Sequence, residues 1–308
     1  MKTESPSILI IADIEGSSGC FDYPGSAFKT DEWVTACEEM TKDVDCVVRA
    51  LFDAGAKHIT VKDFHRTGYN LLTERIDPRA RILSGYKTGL MPGLGDPRGH
   101  DVVLFIGMHA PSGSDGFLAH TMTSRIRSIH ANGKLISEVE LFASSLARFG
   151  IRPVFFSGCP VACRYAAEAI PGIEIFPIDK SSGRKVFDDE SWRKGLAKKA
   201  VESISNTTAL PYNPSGPFEV EITFRGGEAE ARAIARKWKL KLESGKVIFT
   251  AADMPELFNR LIDIAYLSPV TKHIAPLVLP IYNLYGRMGI NWVRRKLAMR
   301  SDTTETNR

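Results

Sequence analysis

Four short apolar runs in this chain of 308 residues each give way to side chains that can bind a metal. Residues 8–12 lead into Asp13 and Glu15, residues 59–61 into Asp63 and His65, residues 102–106 into His109, and residues 135–136 into Glu138. The longer runs do not alternate with polar residues, so they read as strands buried on both faces, the pattern of a parallel sheet covered by helices. Carboxylates and imidazoles bunched where such strands end are costly unless they hold something positive. A divalent cation is the simplest such partner.

At 44% hydrophobic and 25% charged, the chain falls in the range of ordinary globular proteins and can bury a full core, here in two lobes. Forty Lys and Arg against 36 Asp and Glu give a net charge of +4, too small and too dispersed to argue for a nucleic-acid partner. The aliphatic stretch at 8–11 is shorter than a secretory hydrophobic region, which places the protein in the cytoplasm. Cys20, Cys37, Cys46, Cys159 and Cys163 form an odd set without CxxC spacing, so free thiols are expected rather than disulfides or a cysteine zinc site. The most hydrophobic late stretch, 274–285, is broken by Pro276, Pro280 and Asn283 and falls short of the roughly 20 apolar residues that a spanning helix requires.

Residues 30–54 predict a long helix, because Trp33, Cys37, Met40, Val44, Val47, Val48 and Leu51 recur at steps of three and four and Gly55 follows. With strands at 8–12 and 58–61 it makes a βαβ unit. Further strands at 102–106, 153–156 and 173–178 alternate with helices at 138–149 and 160–170. The fold class is therefore α/β, a mostly parallel sheet with helices on both faces and right-handed crossovers. Residues 84–99, rich in Gly and Pro, predict an exposed loop that covers a site or touches a neighbouring subunit. A Pro-rich linker at 206–217 separates residues 1–210 from a small βαβα lobe at 218–267, built from strands 218–224 and 247–250 and helices 229–238 and 254–267. Residues 268–308 form a tail in which the periodicity lapses into a Pro-interrupted apolar segment and then a basic run, Arg294, Arg295, Lys296 and Arg300.

Each candidate ligand also has a plain structural reading. Asp13 to Gly19 reads as a capped turn, Asp63 and His65 as a surface turn, His109 as a satisfied core histidine, and Glu138 as a carboxylate complementing a helix dipole. Four such coincidences at once favour a shared site. Three carboxylates and two imidazoles suit zinc, manganese or iron better than calcium. Five ligands exceed the usual three of one catalytic zinc, and a pair of ions roughly 3.5 to 4 Å apart with a bridging carboxylate would use them all. His120, past a Gly- and Ser-rich turn, is an unneeded sixth ligand and so is free for acid–base work.

Taken together, Asp13-Ile-Glu15-Gly16, Asp63-Phe-His65, Gly107-Met-His109-Ala110, Ala119-His120-Thr-Met122 and Ser137-Glu138 resemble the D-aminopeptidase family of zinc peptidases in order and local motif. The resemblance implies two zinc ions bound by Asp13, Glu15, His65, His109 and Glu138, with Asp13 bridging, and His120 as the catalytic residue. It pairs Glu15 with His109 on one ion and His65 with Glu138 on the other. It further implies a ring-like homo-oligomer, a decamer in the founding case, acting on small peptides with a D-Ala-type residue. The chain departs from the family in Lys62-Asp63, where Asn-Asp is common, and in Gly158-Cys159-Pro160, where Gly-Asp-Asp is common. Its tail is longer than the family's usual end, an added oligomer contact or a membrane-surface patch.

The expected reaction is metal-assisted amide hydrolysis. Two alternatives stand beside it: a binuclear phosphoesterase, since paired metals clamp phosphoryl oxygens equally well, and a non-catalytic protein that binds a peptide or holds metal structurally.

Overall fold

The structure, a computed structural model, describes residues 6–305, with side chains as far as residue 301. The ends of the expected 1–210 and 268–308 segments, residues 1–5 and 306–308, lie outside it. In chain order the elements are β1 (Ile8–Ala12), α1 (Tyr23–Ser26), α2 (Asp31–Asp53), β2 (Ile59–Asp63), β3 (Arg81–Leu83), β4 (Val102–Met108), β5 (Ile126–Ala131), β6 (Lys134–Leu135), α3 (Glu138–Ala147) and β7 (Arg152–Gly158). There follow α4 (Pro160–Ala169), β8 (Glu174–Pro177), α5 (Asp189–Ser203), β9 (Phe218–Phe224), α6 (Gly227–Trp238), β10 (Lys241–Glu243), β11 (Lys246–Ala251), α7 (Met254–Tyr266) and α8 (Pro269–Glu305).

Six strands form a parallel sheet in the order β3-β2-β1-β4-β7-β8. Its centre is apolar on both faces, as the unbroken runs predict. Ile8, Ile10, Val102 and Leu104 pack with Trp33, Val44 and Leu51 of α2 and Leu196 of α5, while Leu9, Ile11, Val103 and Phe105 pack with α3 and α4 on the other side. With the central strand β1 inside two parallel ladders, side chains just past its carboxyl end share a crevice with those past β2 and β4.

The second sheet is antiparallel, in the order β10-β11-β9-β5-β6. The expected lobe at 218–267 therefore completes its sheet with β5 and β6, which come from inside the 1–210 segment; Ile129 faces Ile222 and Ala131 faces Val220. Val220, Ile222, Phe249 and Leu257 join the same apolar cluster as α3.

Two loop expectations change. Within 84–99, Met91 and Leu94 are buried in the core, so that loop is pinned to the body rather than exposed along its length. The tail is a single 37-residue helix, α8, which continues through Pro276 and Pro280. Its docking side is glycine-lined: a side chain at Gly286 or Gly289 would strike Tyr69 and Thr67, or the Phe28 ring. Among the described residues no single helix is long and apolar enough to cross a membrane. All five cysteines are free, four buried and Cys46 half-buried.

Candidate metal centre

The first shared feature of the site is a tight backbone seam between β1 and β4. Gly107 has φ +75 and sits at an irregularity in the β4–β7 pairing, and a Cβ there would collide with the carbonyl oxygen of Asp13. Gly16 donates its N–H to the Gly107 carbonyl at 2.7 Å. Glycine at both positions lets the two strand ends close on each other, and this brings Asp13 and Glu15 beside His109.

Asp13, Glu15, His65 and His109 are all buried, at 3–6% exposure, and the side chains of Glu138 and His120 are 14% and 23% exposed. His65 Nδ1 lies 3.1 Å from Asp13 Oδ1 and 3.1 Å from Glu15 Oε2. His109 Nε2 lies 3.4 Å from Asp13 Oδ2 and 3.5 Å from Glu138 Oε1. The five residues thus converge in two groups that share Asp13, one oxygen turned to each. Glu15 stands with His65 and Glu138 with His109, the reverse of the pairing that the family resemblance implied. His120 stacks on the His109 ring, centroids 3.7 Å apart, with its Nε2 4.0 Å from Glu15 Oε1.

Glu138 arrives by a route the strand-end reading did not foresee. It is the first residue of α3, and the strand before it belongs to the antiparallel sheet. Ser137 and Glu140 cap that helix, Glu140 Oε2 accepting from the Ser137 N–H at 2.8 Å and its hydroxyl at 2.6 Å. The Met122 N–H, in a residue at φ +65, holds Glu138 Oε1 at 2.6 Å.

All three imidazoles have one nitrogen committed to backbone. His65 Nε2 faces the Ser26 carbonyl at 3.0 Å, His109 Nδ1 the Ala110 carbonyl at 3.1 Å, and His120 Nδ1 the Leu118 carbonyl at 2.8 Å. A neutral ring donating there presents a bare nitrogen to the cluster, the arrangement that metal-ligating histidines adopt.

Without an ion the site divides its protons unevenly: Asp13, His65 and His109 are pushed toward holding them, while Glu15, Glu138 and His120 are pushed the other way. Burial, and then Glu15 beside it, pushes the Asp13 carboxyl up to about 7. Burial opposes charge on His109 and His65, but Glu138 carries His109 up to about 10 and Glu15 holds His65 well above its usual value. A divalent ion would take the place of the protons on His65 and His109. Zinc ligands at about 2.0–2.1 Å in tetrahedral array stand roughly 3.3 Å apart, and the carboxylate–imidazole spacings of 3.1 to 3.5 Å match that. Oxygen and imidazole donors in this number fit zinc-type ions.

Supporting residues appear that motif reading missed. Lys180, just past β8, donates to the Glu15 carbonyl at 2.6 Å and the Cys20 carbonyl at 2.5 Å, pinning the Glu15 turn from the far edge of the sheet. The strand-end rule applied once more would have found it. Asn70 gives its side-chain amide to Asp63 Oδ1 at 3.0 Å and the His65 carbonyl at 2.8 Å, and accepts from Trp33 Nε1; no sequence signal marks it. Asp63 accepts the His65 N–H at 3.1 Å and so shapes the His65 turn rather than joining the cluster. The family departures are structural in effect: Lys62 donates to the carbonyls of Asp63 and Gly85 over the Phe64 and Tyr86 rings, and Cys159 with Pro160 caps and opens α4.

A parallel sheet with carboxylates and imidazoles gathered at its carboxyl edge defines an α/β protein with a metal-binding type of site. The chain belongs to the D-aminopeptidase family, whose model matches residues 7–262. The D-aminopeptidase of Bacillus subtilis strain 168 is 25% identical over 263 residues, 83% of this chain and 95% of that protein. The solved structure of the Zn-dependent D-aminopeptidase DppA from Bacillus subtilis, a self-compartmentalizing protease, shares the fold at a TM-score of 0.76 and 21% identity, covering 84% of this chain and 97% of that one.

Proposed function

We propose that this chain is a zinc-dependent aminopeptidase that hydrolyses short peptides beginning with a D-amino acid of the D-Ala type. The observation that carries the reading is the sharing of Asp13 between two acid–imidazole groups. Asp13, Glu15 and His65 would hold one zinc ion, and His109 and Glu138 a second, completed by Asp13 from one side with His120 also within reach, and manganese or iron as substitutes. When bound, such ions polarise a scissile carbonyl and make water nucleophilic near neutral pH.

The chain's own contribution beyond ligation centres on His120. Enclosure, and then His109 against its ring, holds the imidazole below its usual value, so it is a neutral acceptor at pH 7. The Leu118 carbonyl accepts a hydrogen bond from the His120 Nδ1–H, leaving Nε2 as the free position. His120 would accept the proton of the attacking water at Nε2 and return it to the departing amine. Stacking on His109 fixes the plane in which it does so.

By analogy with the self-compartmentalizing relative, copies of this chain assemble into a homo-oligomer. The test is release of D-alanine from a D-alanyl dipeptide, run beside cleavage of a nitrophenyl phosphate, before and after chelation. Metal-dependent peptide release without phosphate release is expected. His120→Ala should keep its metal and lose on the order of 100- to 10,000-fold in turnover; unchanged turnover would remove His120 from the mechanism.

A further inference from the structure

Helix α8 begins beyond the residues matched by the family model, and it leaves an apolar stripe bare. Val270, Ile274, Leu277, Ile281, Leu284 and Met288 are 73%, 41%, 75%, 69%, 53% and 58% exposed. Their spacing of four, three, four, three and four residues is a heptad seam, and at 100° per residue it lies opposite the side on which Gly286, Ile290, Val293 and Leu297 pack onto the body. Val278, Tyr282 and Tyr285, 42%, 39% and 48% exposed, widen the bare face to one side, but the heptad row is its centre, the spacing that another helix fills.

We infer that α8 pairs along this stripe with α8 of a second copy of this chain, antiparallel across a two-fold axis. The stripe is uncharged from Val270 to Met288, so two copies are self-complementary over its length. Arg295 continues the same stripe. A parallel pair would set the two copies' Arg295 side chains together, whereas an antiparallel pair centred on position 279 carries each about 24 Å from the centre.

A lipid surface fits the stripe less well. Of six Lys and Arg in residues 269–301, Lys272, Arg294 and Lys296 pair with Asp263, Glu74 and Asp31, and Arg300 donates to Thr35 and the Asp31 carbonyl. Few cations are left for anionic headgroups. Helices α7 and α8 together are apolar and long enough to span only as a pair bent by 90°, and no single one of them is.

The stripe covers on the order of 300 Å² at helix dimensions, the size of the largest bare patch on a typical monomer. That is less than the roughly 800 Å² per partner of a standard interface, so α8 is one contact within a larger assembly. The inference therefore rests on the assembly reading above, and the experiment separates the two.

The full-length Val270→Cys/Met288→Cys double variant is oxidised and run on a non-reducing gel, with solution mass measured in parallel. Within one helix the two thiols are about 27 Å apart, too far to join each other. The double variant, and an equimolar mixture of the two single variants, should give a covalent dimer in several-fold higher yield than either single variant or the wild type. Absence of that dimer from a multi-copy particle overturns the α8 contact and leaves the assembly standing; a single-copy mass overturns both. Equal dimer from the single variants, or retention on phosphatidylserine vesicles without a cross-link, also overturns it.

Discussion

Lys62 shows how much a single buried cation can report. Its side chain is fully buried, and burial pulls the ammonium from its usual 10.5 down to about 8, with Asp63 opposing part of the fall. The folded state therefore gives up this proton before the unfolded chain does. It carries the penalty of the charged amine at pH 8 and below, and sheds that penalty as pH rises to 10.5, so stability from this position increases across that window. Relative to Lys62→Met, which has nothing to titrate there, the wild type should gain about 3 kcal/mol of unfolding free energy from pH 8 to 10.5. Chemical denaturation at a series of pH values measures this, and a pH-independent difference contradicts it. At this scale the sequence disclosed ligand types but not their partners. Asp13, Glu15, His65, His109 and Glu138 stand out by chemistry and position, whereas the Ser26 carbonyl on His65 and the Trp33 indole on Asn70 act through long-range hydrogen bonds that no local pattern encodes.

Among the elements, those buried on both faces were legible and those that lean on a distant partner were not. β1, α2 and β9 fall where periodicity places them, because each buries a full face or both. β5 joins a strand some 90 residues away, and α5 buries only Leu196, Ala197, Ala200 and Ser203 along 15 residues, too thin a stripe to stand out among its lysines and acids. α8 hid behind its prolines, whose freed carbonyls lie on a solvated helix. The junction of β1 and β4 gives the element-scale prediction. Gly107 and Gly150 share nearly the same φ, +75 and +76, but a Cβ at Gly150 meets nothing while one at Gly107 strikes the Asp13 carbonyl. Both alanine variants should lose roughly 1 kcal/mol to backbone strain, and Gly107→Ala should lose further stability and its metal. Thermal melting with metal analysis checks this; equal behaviour of the two variants would mean that the strand-end seam does not set the site.

Over the whole molecule, topology does the work that sequence spacing cannot. The ligands span about 125 positions, from Asp13 to Glu138, and meet because β1 lies between β2 and β4 in one parallel sheet. The order of strands was open in the sequence, yet the rule that sites form past the carboxyl ends of parallel strands sufficed to gather four of the five. Glu138 needed the second sheet, whose strands are drawn from both sides of the Pro-rich linker. Sharing of Asp13 between two ions is tested most directly by the metal counted per chain. Elemental mass spectrometry of the purified wild type and of Glu138→Ala should find two zinc equivalents in the first and one in the second, with peptide release lost in the variant. A wild type holding one equivalent or none at full activity, or a variant that keeps both, would contradict it.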